Sequence, residues 1–140
     1  MPDTFSHTAP VAAARDRVWD ALQNAETWSN IGPIDEVWDA EHDEDGALTG
    51  YRWSARAAGR TWKGTATTAR MTPGEHMRLD LTSTEIVGAI TVELHDHQVI
   101  VSMEASPRGM LATMFWGAVR GALEQGLPGQ VEAFARSLEA

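Results

Sequence analysis

From Tyr51 to Glu104 the hydrophobic positions recur every second residue. Tyr51, Trp53, Ala55 and Ala57 alternate with Arg52, Ser54 and Arg56. Met77, Leu79 and Leu81 alternate with Arg78, Asp80 and Thr82, and Val99, Val101 and Met103 with Ile100, Ser102 and Glu104. Strict alternation is the signature of a strand with one buried and one wet face. Turn-forming clusters separate the runs at "DEDG", "AAGR", "TPGE" and "HDHQ". The pattern from the middle of the chain to about Pro107 therefore predicts about six strands joined as an antiparallel meander.

The period is different at both ends. Residues 4 to 11 suit a first strand, and Val18, Trp19, Leu22 and Ala25 follow at helical spacing with Asp16 in the early turns. A short second helix around 25–30 should stop at Gly32 and Pro33. The stretch "GMLATMFWGAVRGALEQGLPGQVEAFARSLE" reads as a long helix kinked around Gly126, Leu127, Pro128 and Gly129. Beyond the kink, Val131, Phe134, Ala135 and Leu138 form one stripe. Before it, Trp116, Val119 and Leu123 form a stripe, while Met110, Leu111, Met114, Phe115, Ala118 and Ala122 cover much of the other side. A helix apolar all round is expected to be buried all round. One face should lie on the sheet, and the other requires a second surface.

Composition narrows what that surface can be. A chain of 140 residues is one domain's worth, and residues 1–140 show no repeat, linker or low-complexity tract. There is no cysteine, which excludes disulfides, thiolate metal sites and a cysteine nucleophile and is compatible with a cytoplasmic location. The opening residues have no basic end followed by an apolar run, so a signal peptide is not expected. The longest apolar stretches fall short of the roughly 20 residues of a membrane span, so no membrane insertion is expected. A net charge of −9, with one lysine and dispersed arginines, argues against nucleic acid and against an anionic membrane surface. The partner expected is an apolar small molecule or another protein, including a second copy in a homodimer.

Three stretches carry a family resemblance. "HTAPVAAARDRVWDALQNAETW" looks like the opening strand, small-residue turn and first helix of the START-like superfamily (Bet v 1 allergens, polyketide cyclases and CoxG-type proteins). "GRTWKGTATTARMTPGE" is similar to the fourth strand of the CoxG-type branch, and "GALEQGLPGQVEAFARSLEA" to the closing helix. The resemblance implies an α+β helix-grip fold, in which about seven strands curve around the long C-terminal helix and two short helices follow the first strand. It also implies a cavity for an apolar ligand between sheet and helix. On that reading the strands contribute Tyr51, Trp53, Trp62, Leu79, Leu81 and Met103 to the ligand site. The helix contributes Met110, Met114, Phe115 and Ala118. A solid core or a dimer contact would account for the same side chains.

Candidate chemistry is sparse. His95 and His97 flank Asp96 in a turn, and the carboxylates of "EHDEDG" alternate, but neither has the spacing or ligand number of a metal site. No nucleophile elbow or phosphate-cradling loop occurs, no cofactor is expected, and no catalytic residue is assigned. Glu36 is a candidate buried base only if it, rather than Val37, faces inward. Three functions follow: a carrier or sensor of an apolar molecule, a cyclase- or dehydratase-type enzyme, and a CoxG-like accessory or interaction subunit.

Overall fold

A computed structural model describes residues 3–29, 31, 34–57 and 59–138, with the side chain of residue 57 left out. Its order is β1 (Asp3–Pro10), α1 (Arg15–Leu22), α2 (Ala25–Trp28), β2 (Ile34–His42), β3 (Leu48–Ala57), β4 (Arg60–Thr72), β5 (His76–Thr82), β6 (Ile86–His95), β7 (Gln98–Pro107), α3 (Met110–Met114) and α4 (Trp116–Ser137). The alternating runs form the expected meander, in a seven-stranded antiparallel sheet ordered β1-β7-β6-β5-β4-β3-β2. Thus β1 pairs with β7, and the first and last strands lie side by side. The break expected at Gly32 and Pro33 lies outside the described residues.

The turns are built as their sequences demand. Gly46, Gly59 and Gly74 take positive φ, and so does His97 in the "HDH" turn. Asp43 folds its carboxylate back onto its own hairpin, accepting from the amides of Asp45 (2.9 Å) and Ala47 (3.0 Å). The alternate carboxylates of "EHDEDG" are therefore turn chemistry. On β2 the phase is settled by Val37, which packs on the core while Glu36 is exposed.

One face of the sheet is apolar and covered. Tyr51, Trp53, Met77, Leu79, Val92 and Val101 are among its buried side chains, and the intervening residues are largely polar and face outward. At one end α1 and α2 cover it through Val18, Leu22 and Trp28, whose indole donates to the carbonyl of Leu22 (3.0 Å). The Asn24 side chain caps α2, accepting from the amide of Glu26 (3.1 Å). The rest is covered by α4, through the stripe Val119, Leu123, Leu127, Val131 and Phe134. Asp3 in β1 accepts from the indole of Trp116 (2.6 Å) and lies 3.9 Å from Arg120, which holds the start of α4 to the sheet edge.

The C-terminal helix is continuous through Pro128, where the sequence predicts a kink. Leu123, Leu127 and Val131 continue one buried stripe past the proline, so contact with the sheet holds the helix where one amide donor is missing. The interruption lies at Phe115, whose φ of −103° and ψ of 13° end α3 and start α4. One expectation for the C-terminal segment is corrected: its first half is not buried all round. Met110 is 80% exposed, Met114 69% and Leu111 42%, and Ala118 and Ala122 are exposed too. The sheet covers a single stripe of the helix, and among the described residues nothing else reaches round to its far side.

Close packing leaves no room for a side chain at Gly64. Trp53 pairs across strands with it, and a β-carbon there would meet the Thr82 backbone carbonyl oxygen and fall 2.6 Å from Cζ2 and 2.9 Å from Cε2 of the indole. Alanine normally strengthens a strand relative to glycine, but overfilling an interior costs about 1–3 kcal/mol. Gly64→Ala is accordingly expected to lower stability by that amount, read as a reduced urea midpoint.

Candidate functional site

Between the inner face of the sheet and the first turns of α4 lies a cavity of about 40 Å³. Trp53 and Ala55 of β3, Trp62 of β4, Leu81 of β5 and Met103 and Ala105 of β7 form its sheet side. Ile34 of β2 and Ile86 of β6 lie along it as well, and Val119 and Leu123 of α4 close it from above. Every strand except β1 contributes, and the wall is apolar throughout. By comparison, a dry cavity that admits benzene measures about 150 Å³. The two indoles, with the Trp53 ring laid across Gly64, occupy the space that the small residues of β3 and β4 leave free.

The residues assigned from sequence separate into three groups. Trp53, Trp62, Leu81 and Met103 line the cavity. Tyr51 and Leu79 are buried on the same face but do not line it. Met110, Met114 and Ala118 are exposed, outside the cavity, because the α4 stripe that faces the sheet is the one through Val119 and Leu123. Phe115 is half-buried at the end of α3, with the Arg60 guanidinium 5.0 Å from its ring centroid. Val119 and Leu123 were visible as a stripe in the sequence but read as plain sheet contacts. Ile34, Ile86 and Ala105 carried no signal, since an inward residue beside a void looks like one in a filled core.

Near this end the cavity adjoins the surface. A groove there is bordered by Arg60, Ser83, Thr84, Glu85 and Leu111, and Trp62 is common to groove and cavity. The Glu85 carboxylate accepts from the amide of Ala112 (2.9 Å), and its carbonyl accepts from the amides of Arg108 (2.7 Å) and Gly109 (3.0 Å). These bonds set α3 over the turn between β5 and β6.

The inner face carries an unusual polar inventory. Among the described residues Tyr51 Oη and Trp53 Nε1 are buried and find no hydrogen-bond partner, the residues being 3% and 4% exposed. An unpaired buried donor or acceptor costs about 1–3 kcal/mol. Burial also pushes the Tyr51 phenol well above its ordinary range, so it stays protonated. The linkage follows from proton counts. Above about pH 10 the unfolded phenol loses its proton while the folded one keeps it, so stability contributed below that pH drains away as pH rises. Tyr51 is the only tyrosine. Tyr51→Phe is therefore expected to leave the free protein as stable or about 1–3 kcal/mol more stable at neutral pH, and to flatten the fall in stability above pH 10. Urea melts across pH, with tyrosinate absorbance appearing only on unfolding, check both.

No curated protein matches this chain. Solved structures match it over nearly its full length. The Zhui aromatase/cyclase from a Streptomyces species has a TM-score of 0.72 at 16% identity, over 100% of this chain and 97% of that one. A START superfamily protein from Mycobacterium smegmatis has a TM-score of 0.60 at 15% identity, over 93% and 97%. A major latex-like protein from Panax ginseng has a TM-score of 0.58 at 11% identity, over 99% and 93%. At these identities the likeness establishes a shared fold, the helix-grip arrangement. The sequence itself matches, over residues 2–140, the family described as polyketide cyclase / dehydrase and lipid transport, and the chain belongs to that family.

Proposed function

We propose that this protein is a carrier or sensor that holds an apolar small molecule between the inner face of its sheet and the Val119–Leu123 turn of α4. The observation that carries the reading is the interior space walled by carbon from β2 to β7 and α4, in a family whose description names polyketides and lipids. Binding sites for small molecules are concave and mostly apolar. The described helices include none long and apolar enough to cross a membrane, so an internal pocket is where such a molecule would be shielded from water.

At about 40 Å³ the cavity must widen to take a guest. Trp62 borders both the cavity and the outer groove, so displacement of its indole would join the two spaces and supply both access and volume. The nearby Met103 has a flexible side chain suited to refilling around different shapes.

A cyclase or dehydratase would need side chains that exchange protons with the substrate near neutral pH. The indole N–H of Trp53 does not titrate, and burial holds the Tyr51 phenol protonated. Glu36 is exposed on β2, away from the interior. The inner face is equipped to hold a molecule rather than to transform it.

A fluorescent apolar probe, N-phenyl-1-naphthylamine, tests the reading. The wild-type protein is expected to bind it saturably at one site and to melt at higher temperature as probe is added, with about 2.7 kcal/mol of added stability at a hundredfold excess over Kd. Ala105→Leu fills the cavity from β7 and is expected to remain folded by circular dichroism while binding at least about tenfold more weakly, the loss of roughly 1.4 kcal/mol. Absence of saturable binding, or equal binding by the filled variant, would overturn the proposal.

A further inference from the structure

The unpaired atoms on β3 say something about what the guest must carry. Other indoles of the chain have been given acceptors: Trp28 donates to the Leu22 carbonyl at 3.0 Å, and Trp116 to the Asp3 carboxylate at 2.6 Å. Trp53 Nε1 and Tyr51 Oη have none, although both are buried and both sit on the covered face of one strand, two residues apart. A face designed only to exclude water would gain by having phenylalanine at either place. Buried polar groups without partners in a native interior call for an explanation, and a missing ligand is one that fits a site beside a cavity.

We infer that Tyr51 and Trp53 read an oxygen on the ligand, so that the site takes a neutral apolar molecule bearing a carbonyl or equivalent acceptor. This rests on the cavity-binding reading above and deepens it. An indole N–H can only donate, and a phenol can donate or accept. The group opposite Trp53 must therefore be an acceptor, and an ammonium or another pure donor is excluded. Glu104, the charged residue along the cavity, presents no polar surface to it, so a carboxylate would be buried without compensation and is disfavoured as well. Residues two apart on a strand are about 6.6 Å apart along it. The present wall is apolar and Tyr51 lies outside it, so one molecule with an oxygen-bearing edge meets both donors once the cavity widens past Trp53 Nε1 toward Tyr51. A hydrocarbon of the same outline would leave both groups as unpaired as they are now, so the two donors act as a specificity filter rather than as a source of raw affinity.

Acetophenone and α-methylstyrene provide the test, because they share one shape and differ in C=O against C=CH2. The wild-type protein is expected to bind acetophenone about five- to tenfold more tightly, the value of one net hydrogen bond. The Trp53 indole proton resonance should move downfield with acetophenone and stay put with α-methylstyrene. Trp53→Phe should lose most of the preference and Tyr51→Phe should reduce it, while both variants keep binding α-methylstyrene. If Trp53→Phe does not fold, the indole resonance of the wild type decides on its own. Equal affinities for the two probes, an indole proton indifferent to the ketone, or a preference that survives both substitutions would overturn the inference and leave the cavity reading standing. Failure of both probes to bind would overturn the two together.

Discussion

The constraint on which the structure depends is that one helix, α4, must cover all that α1 and α2 leave bare of a curved, one-sided sheet. Seven antiparallel strands offer a broad apolar surface, and α4 offers one stripe, Val119 to Phe134, to lay against it. A rod on a curved sheet touches along a line and leaves space beside it. Large side chains have to fill that space, which is why Trp53 and Trp62 lie where β3 and β4 run beneath the front of α4. Gly64 follows from the same need, since the Trp53 ring can lie flat only where its cross-strand neighbour has no side chain. The cavity is what the two rings leave unfilled.

That solution leaves two polar atoms unpaired. Tyr51 Oη and Trp53 Nε1 are buried where their cross-strand neighbours on β4, Ala66 and Gly64, carry no polar side chain. Most natural interiors avoid such groups, and where local rules are broken without structural gain the break tends to mark function. The same residues that make the interior slightly less stable are those able to distinguish one guest from another. Stability elsewhere offsets the cost. The Asp3–Trp116 bond, the Gln23 side chain accepting from the Leu48 amide (2.9 Å) and the Arg17 guanidinium on the Leu138 carbonyl (2.9 Å) tie helices to one another and to the sheet around the site.

The end of the molecule around α3 behaves differently from the rest. Its five residues bury only Ala112, and its hold on the body runs through Glu85 and the chain itself. A short segment with little buried surface is among the parts of a fold that open at low cost. It lies beside the groove that shares Trp62 with the cavity, so this weakly anchored helix stands next to the residue that borders both spaces.

Much of the fold was legible in the chain because alternation and turn chemistry are local. Each strand from β3 to β7, the hairpin turns with their positive-φ residues and the amphipathic half of α4 beyond Pro128 follow from neighbouring residues alone. The shared faces of Trp53, Leu81 and Met103 with their alternate neighbours followed from the same period of two, whereas the inward phase of Trp62 on β4 was open in the sequence. Other features depended on what met what in space. Whether a helix carries on past Pro128 depends on the surface that helix rests on, and here Leu123, Leu127 and Val131 lie in one buried stripe on both sides of it. Whether Met110 and Met114 are buried depends on whether anything reaches round the far side of the helix, and among the described residues nothing does. The phase of β2 was open in the sequence because bulges between Ile34 and Glu36 and between Trp38 and Glu41 shift its pairing with β3. The sequence by itself therefore determined a one-sided antiparallel sheet with a helix to cover it, since those depend on the spacing of side chains along the backbone. Only the tertiary structure decided where the hollow lies and which polar groups it leaves unpaired, since those depend on how a straight helix and a curved sheet fail to match.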